Sequence, residues 1–412
     1  MVKYPTWARG SMMVDWEHRI DFERMRKERI KKTQDAMKDQ GIDALILWKD
    51  ENVRYLTSLR AIMIQYRSST TYGVLLHQDG EPTLLASSGE AHRIEQCMPW
   101  IKDYVPIGIL EEPGLVDLTV KDEILPRLKD WDVANKTIGL DGHTFMQRSA
   151  LEKYFPEANF VDGERFMYLS RVNKTPDEVA CLMQACAIAD SVTMTAIENS
   201  KPGVREYDVA AEAMKTLFTH GGEFGHLASP FVASGEHMAP PTRFPTDKII
   251  RNGDVVFIDI GACWNGYFGD CGRATLAGGP PHPMQQKVYT TVYKALKAGI
   301  AKMRPGYTND DSAQEFIEVA RSAGLENNFI KLFIGHGCGI SPNEPPYVGE
   351  VMPGAEEVKF EPGMTFAIEP LIFVDGIPGG AGVRIEDHIL VTEDEPVYMT
   401  RAPYCEKLLL QD

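Results

Sequence analysis

The chain has 412 residues, 43% hydrophobic and 25% charged, a globular composition with length for two or three domains. Its formal net charge of −16 leaves no basic excess to neutralise phosphates, so neither nucleic acid nor an anionic membrane surface is an expected partner. The seven cysteines (Cys97, Cys181, Cys186, Cys263, Cys271, Cys338 and Cys405) are odd in number and lack a CxxC spacing, which excludes a disulfide framework or zinc ribbon and points to reduced thiols in a cytoplasmic protein.

The first 25 residues contain no apolar signal-peptide core, and no run of about 18 apolar residues predicts a membrane span. Residues 21–40 then read as a charged surface helix that Gly41 can stop, and 44–48 as a buried strand. Residues 71–76 and 82–86 are two more strands about the turn HQDGE, and another strand is expected over 136–140. Together these predict an α/β domain over residues 1–168. Near Lys174 the pattern changes. Thr175, Pro176 and Glu178 form a capping signature for a helix whose apolar positions recur through Ile197. Helices are expected over 206–220, 282–303 and 309–323, a strand-rich, glycine-dotted stretch over 229–276, and strands from Met364 onward. Helices with an antiparallel sheet make the second domain, residues 169–412, an α+β fold.

Two hairpins in that domain carry paired carboxylates. Folding 254–279 about its tip at 264–265 brings Asp259 across from Asp270. Folding 364–391 about the loop DGIPGGAG places Glu369 opposite Glu386, each inside an apolar run. Facing, desolvated like charges repel, and a shared proton or a cation relieves them. Two divalent ions balance four carboxylates, and metals about 3.5–4 Å apart are a known hydrolytic arrangement. His336, set among glycines in GHGCG (335–339), offers a nitrogen donor on a backbone that can be approached closely.

DIGACWNGYFGDCGRA (259–274), GHGCG, FAIEP (366–370) and RIEDHILVTEDE (384–395) resemble the pita-bread metallohydrolases: methionine aminopeptidase, aminopeptidase P, prolidase and creatinase. The resemblance covers most of 174–405. KDQGIDALIL (38–47) and NVRYLTSLR (52–60) resemble the N-terminal domain of the creatinase, prolidase and aminopeptidase P branch. The resemblance implies that Asp259, Asp270, His336, Glu369 and Glu386 bind two divalent ions, of manganese, iron, cobalt or zinc. It implies hydrolysis of an amide or other C–N bond in a small amino-acid-like or Xaa-Pro substrate, with Glu369 carrying the proton and Arg384 orienting carboxylates or binding a substrate carboxylate. It also implies a homodimer in which one subunit's N-terminal domain helps to close its partner's site.

The chain departs from the family's peptidases at two positions. Where those carry two further histidines near the metals, this sequence has Asn343 and Thr242, and His237 stands at the pattern's asparagine position. Asn343 and Thr242 are weaker hydrogen-bond donors, with His237 or His226 as candidate replacements. Losing one oxyanion donor costs about 10²–10³ in rate, so a small substrate with its own polar partners is expected. The alternative is a metal-dependent lyase resembling dimethylsulfoniopropionate lyase. That enzyme's additional aspartate, two positions after the first ligand, is Gly261 here, which counts against it.

Overall fold

Asp21 accepts hydrogen bonds from the backbone N–H groups of Glu23 and Arg24 and so starts the helix Phe22–Gln40, which Gly41 ends in the left-handed conformation. The computed structural model describes residues 20–61, 68–226, 229–350 and 356–410. Most of the N-terminal stretch without an apolar core lies outside them. The chain divides into two units, Met1–Arg171 and Val172–Asp412. The boundary expected between 168 and 169 falls inside the last helix of the first unit, Gly163–Ser170.

The first unit is built on a six-stranded sheet of β1 (Ala44–Leu47), β2 (Tyr72–His77), β3 (Thr83–Ser87), β4 (Asp103–Ile107), β5 (Thr137–Leu140) and β6 (Asn159–Asp162). The order is β4-β3-β2-β1-β5-β6. The hairpin strands β1, β2 and β3 pair antiparallel, while β4, β5 and β6 join in parallel. Parallel joins need crossover segments, and intervening helices supply them, which makes the unit α/β as expected.

In the second unit Thr175 caps the helix Pro176–Asn199 in a full capping box with Glu178. By length and hydropathy this helix could cross a membrane, contrary to the expectation that the sequence holds no such stretch. Its small apolar residues raise the average hydropathy. Leu182, Ala185, Ile188, Ala189 and Val192 are instead buried in protein. Against it lies an antiparallel framework of β7 (Phe231–Ser234), β8 (Val255–Asp259), β9 (Ala262–Trp264), β10 (Tyr267–Gly269) and β11 (Gly272–Leu276). A second set follows: β12 (Gly335–Gly337), β13 (Glu344–Val348), β14 (Thr365–Ile368), β15 (Leu371–Val374), β16 (Ala381–Arg384), β17 (Asp387–Leu390) and β18 (Val397–Tyr398). The sheets run β11-β8-β7 and β13-β12-β14-β17-β18, with β9-β10 and β15-β16 as separate two-stranded ladders. The helices Pro283–Ile300 and Asn309–Ser322 supply Val288, Val292, Leu296 and Phe316 to the largest core cluster.

The two carboxylate hairpins differ in how closely they follow the expected register. Ile368 pairs with Asp387 and Leu371 with Arg384, so Glu369 and Glu386 face each other in the gap between two ladders of one register, as expected. In the other hairpin Trp264 pairs with Tyr267, and Asp259 pairs with Gly272 rather than with Asp270. Asn265 and Gly266 take the two left-handed positions of the turn, with φ of 49° and 82°, which moves the fold point one residue along. Asp270 then sits in the break between β10 and β11.

Gly269, next to Asp270, packs directly on the helix Pro176–Asn199: a Cβ there would lie 2.3 Å from the backbone nitrogen of Cys186. Backbone cannot step aside as a side chain can. Gly269→Ala is therefore expected to lower stability by about 1–3 kcal/mol or more, as overpacking does, measured by urea denaturation.

Candidate metal centre

The five carboxylate and imidazole candidates come from strand ends and breaks. Asp259 ends β8, Asp270 follows β10, His336 is the middle residue of β12, Glu369 follows β14 and Glu386 precedes β17. A β-bridge between Gly272 and Glu386, with the Glu386 N–H donating to the Gly272 carbonyl, joins the two sheets at this point. All five line one cavity of about 250 Å³. Three overlapping trios have their ligand atoms within 4.8 Å of one another: His226/Asp259/Asp270, Asp270/His336/Glu386 and Asp259/Glu369/Glu386.

The two histidines play different parts. The Nδ1 of His336 lies 3.0 Å from the Gly337 carbonyl, to which it can only donate, so the Nε2 lone pair faces the carboxylates, 3.3 Å from Glu369 Oε1. That is the tautomer of a metal ligand with its other nitrogen anchored. His226 is the reverse. Its Nδ1 accepts from the Gly261 N–H at 2.6 Å, so a neutral ring carries its proton on Nε2, which lies 3.4 Å from Asp259 Oδ1 and 3.6 Å from Asp270 Oδ1. His226 thus turns an N–H toward the two aspartates without hydrogen-bonding either oxygen. The close backbone approach that its ring makes at Gly261 requires glycine there, since a Cβ would fall 2.8 Å from the ring.

Asp259 Oδ1, Asp270 Oδ1 and Glu386 Oε2 are buried and, among the described residues, have no hydrogen-bond partner. Buried carboxylate oxygens without donors are costly. Burial, with the charges of Asp259, Asp270 and Glu369, pushes Glu386 well above the usual carboxylate range. Burial also lifts Asp270 to about 6 against the pull of His226. Glu369 goes the other way: burial is the largest influence and raises it, but the neighbouring cations, Arg384 foremost, outweigh burial and hold it low. Oxygen donors without protein partners, converging with an imidazole lone pair, fit divalent cations.

Arg384 reaches the cavity from β16, where one guanidinium nitrogen lies 2.7 Å from Asp259 Oδ2 and 2.7 Å from Glu369 Oε2. Its contacts here are with carboxylates of the site. Asn343 lines the cavity as expected. Thr242 and His237 do not. Thr242 is exposed and donates its hydroxyl to the His237 carbonyl at 3.0 Å. The His237 ring lies 3.2 Å from Glu206, a buried carboxylate that also accepts from Ser234 and Thr246. Glu206 captures this histidine and so keeps its ring out of the cavity. The neighbour of Thr242, Arg243, lines the cavity instead, together with Phe231, Pro342 and Phe333, whose ring stacks 5.7 Å from that of His336.

Comparison with known proteins decides the family. The model of metallopeptidase family M24 matches residues 180–393, and that of the creatinase/prolidase N-terminal domain matches residues 29–172. The chain belongs to metallopeptidase family M24. Within the family it is 30% identical to the Xaa-Pro dipeptidase of Pyrococcus furiosus over 381 residues, 91% of this chain and 98% of that one. A dipeptidase structure from Pyrococcus horikoshii OT3 superposes with a TM-score of 0.77 at 27% identity, covering 91% of this chain and 98% of the other. The Xaa-Pro dipeptidase structure from Bacillus anthracis gives a TM-score of 0.77 at 25% identity, covering 92% and 98%. The fold is the pita-bread fold with a creatinase-type N-terminal domain, and the protein is a metal-dependent hydrolase. The lyase alternative gains no support from these relatives.

Proposed function

We propose that the protein cleaves the C–N bond of a small substrate of dipeptide size, of the Xaa-Pro class named for its relatives, with two divalent ions held by Asp259, Asp270, His336, Glu369 and Glu386. The observation that carries this reading is the convergence of three donor-less carboxylate oxygens and the His336 lone pair on one cavity. Divalent ions of manganese, iron, cobalt or zinc, when bound there, supply Lewis acidity toward a carbonyl and acidify water. Glu369, kept ionised by Arg384, accepts the proton of the attacking water and delivers it to the departing nitrogen. Arg384 holds Asp259 in place. Phe231, Phe333 and Pro342 give the cavity an apolar wall. The cavity of about 250 Å³ suits a small substrate. The reading includes a cytoplasmic homodimer, on the family resemblance and on cysteines that form no disulfide among the described residues.

The test pairs metal analysis of the purified full chain with proline release from Ala-Pro. About two divalent ions per chain, the count a two-metal site requires, and proline release abolished by a chelator and restored by manganese are expected. Bound metal without proline release would overturn the Xaa-Pro assignment. Absence of metal binding would overturn the two-metal mechanism itself.

A further inference from the structure

Arg243 lines the metal cavity from the segment between β7 and β8, and the mechanism above does not use it. Its side chain is half-buried, yet among the described residues no hydrogen bond or ion pair reaches its guanidinium. Its backbone is held at φ 69°, in the left-handed region, where a non-glycine residue costs about 1–3 kcal/mol. The strain is maintained by ordered neighbours. The Thr242 N–H donates to the His237 carbonyl at 2.6 Å, and the Phe244 N–H donates to the Thr242 carbonyl at 2.8 Å. The Phe244 ring meets Phe231, itself a cavity wall, edge-on at 5.5 Å. A strained backbone that presents a long cation to a cavity without giving it a protein partner matches a ligand-binding group.

Charge indicates which ligand. Two divalent ions would match the four carboxylates of the cavity, leaving the charges of Arg243 and Arg384 in excess. Arg384 is committed to Asp259 and Glu369. Arg243 has no such commitment. The planar guanidinium fork fits a carboxylate in two-point contact better than it fits a neutral amide. We propose that Arg243 binds the free carboxylate of the substrate and so makes the enzyme select free acids over their amides. The assignment rests on the reading of this cavity as the substrate site of a C–N hydrolase. It also gives the departure from the family's peptidases a physical content: at this edge of the cavity a fixed cation stands beside the position where those carry an imidazole.

The test compares Ala-Pro with its C-terminal amide as substrates, and L-proline with L-prolinamide as ligands by calorimetry, on the manganese-loaded full chain. Wild type is expected to favour the acid in both measurements by about 10- to 100-fold, the range of a charge-assisted hydrogen bond. Arg243→Ala and Arg243→Met are expected to lose that preference through a higher KM and Kd for the acid, with the Kd for the amide little changed. Arg243→Lys keeps part of it. A wild type that does not distinguish acid from amide in binding, or an Arg243→Ala protein that still does, overturns the assignment. Failure of Ala-Pro hydrolysis alongside an Arg243-dependent preference for proline over prolinamide overturns the Xaa-Pro reading and leaves the carboxylate anchor standing.

Discussion

Glu386→Gln is expected to abolish hydrolysis while making the metal-free protein more stable than wild type. Both effects come from one carboxylate. Glu386 is buried, its Oε2 has no donor among the described residues, and it shares the cavity with Asp259, Asp270 and Glu369. Without cations this is an arrangement of facing, desolvated like charges. Glutamine removes one charge and keeps the shape. It also removes an anionic ligand, and Lewis-acid assistance worth several kcal/mol goes with it, so activity falls by at least about 10³-fold. The pH dependence has a definite sign. A carboxyl raised in the folded state from its ordinary 4.5 binds more protons folded than unfolded, so it contributes stability at low pH that is lost as pH rises above 4.5. The stability gap between Glu386→Gln and metal-free wild type therefore widens with pH from that point. Manganese reverses the ranking: at about 100 times its Kd a bound ion adds about 2.7 kcal/mol per site to wild type, and the variant gains less. Thermal melts at several pH values, with and without manganese, read all of this. A chelated Glu386→Gln protein that melts below chelated wild type at neutral pH would refute the account.

The same local physics explains which parts of the site could be read from the sequence. The Glu369–Glu386 pairing was legible because the stretches on either side of the Gly/Pro-rich turn, 364–374 and 381–391, have matching lengths. The Asp259–Asp270 pairing was displaced by two residues because Asn265 and Gly266, not the bulkier Trp264, accept left-handed backbone. The aspartates still meet, since a break in the ladder carries Asp270 back toward the end of β8. His336 could be read from its glycines. The second rank of residues could not. His237 is tied to Glu206 on a helix thirty-one positions away in sequence, a contact no local pattern announces. His226 owes its place to a backbone donor at Gly261, and Arg243 reaches the cavity through a φ of 69° that periodicity does not encode. Ligand types follow motif spacing. The groups that orient ligands follow long-range backbone geometry.

Arg273 is the clearest case of such an orienting group, and its replacement carries the largest expected loss of stability. It lies in β11 beside the Gly272–Glu386 bridge and is fully buried. Its guanidinium donates to Asp387 Oδ1 at 2.8 Å, to the Ala402 carbonyl at 2.9 and 2.7 Å, to the Gly272 carbonyl at 2.8 Å, and to the carbonyl of Glu386. Asp387 also accepts from Thr400 at 3.0 Å and from Tyr404 at 2.6 Å, and the Tyr404 ring lies 4.7 Å from the guanidinium carbon. One cation thus fixes the backbone of a metal-ligand candidate from behind. Arg273→Met keeps much of the volume but leaves Asp387 as a buried charge without its cation, and removing one partner of such a pair costs about 3–5 kcal/mol. With the Glu386 carbonyl released, manganese affinity is expected to fall about 10- to 100-fold, as it does when outer partners of metal ligands are lost. Arg273→Lys restores the charge but not the fork, so it should recover more stability than metal affinity. Adding Asp387→Asn to Arg273→Met should return part of the lost stability, because the uncompensated charge goes with it. Urea denaturation and manganese titration of the four proteins separate these terms. An Arg273→Met protein that unfolds at the wild-type urea midpoint would mean that the three carbonyls and Asp387 find other donors, and that Glu386 is held by its strand alone.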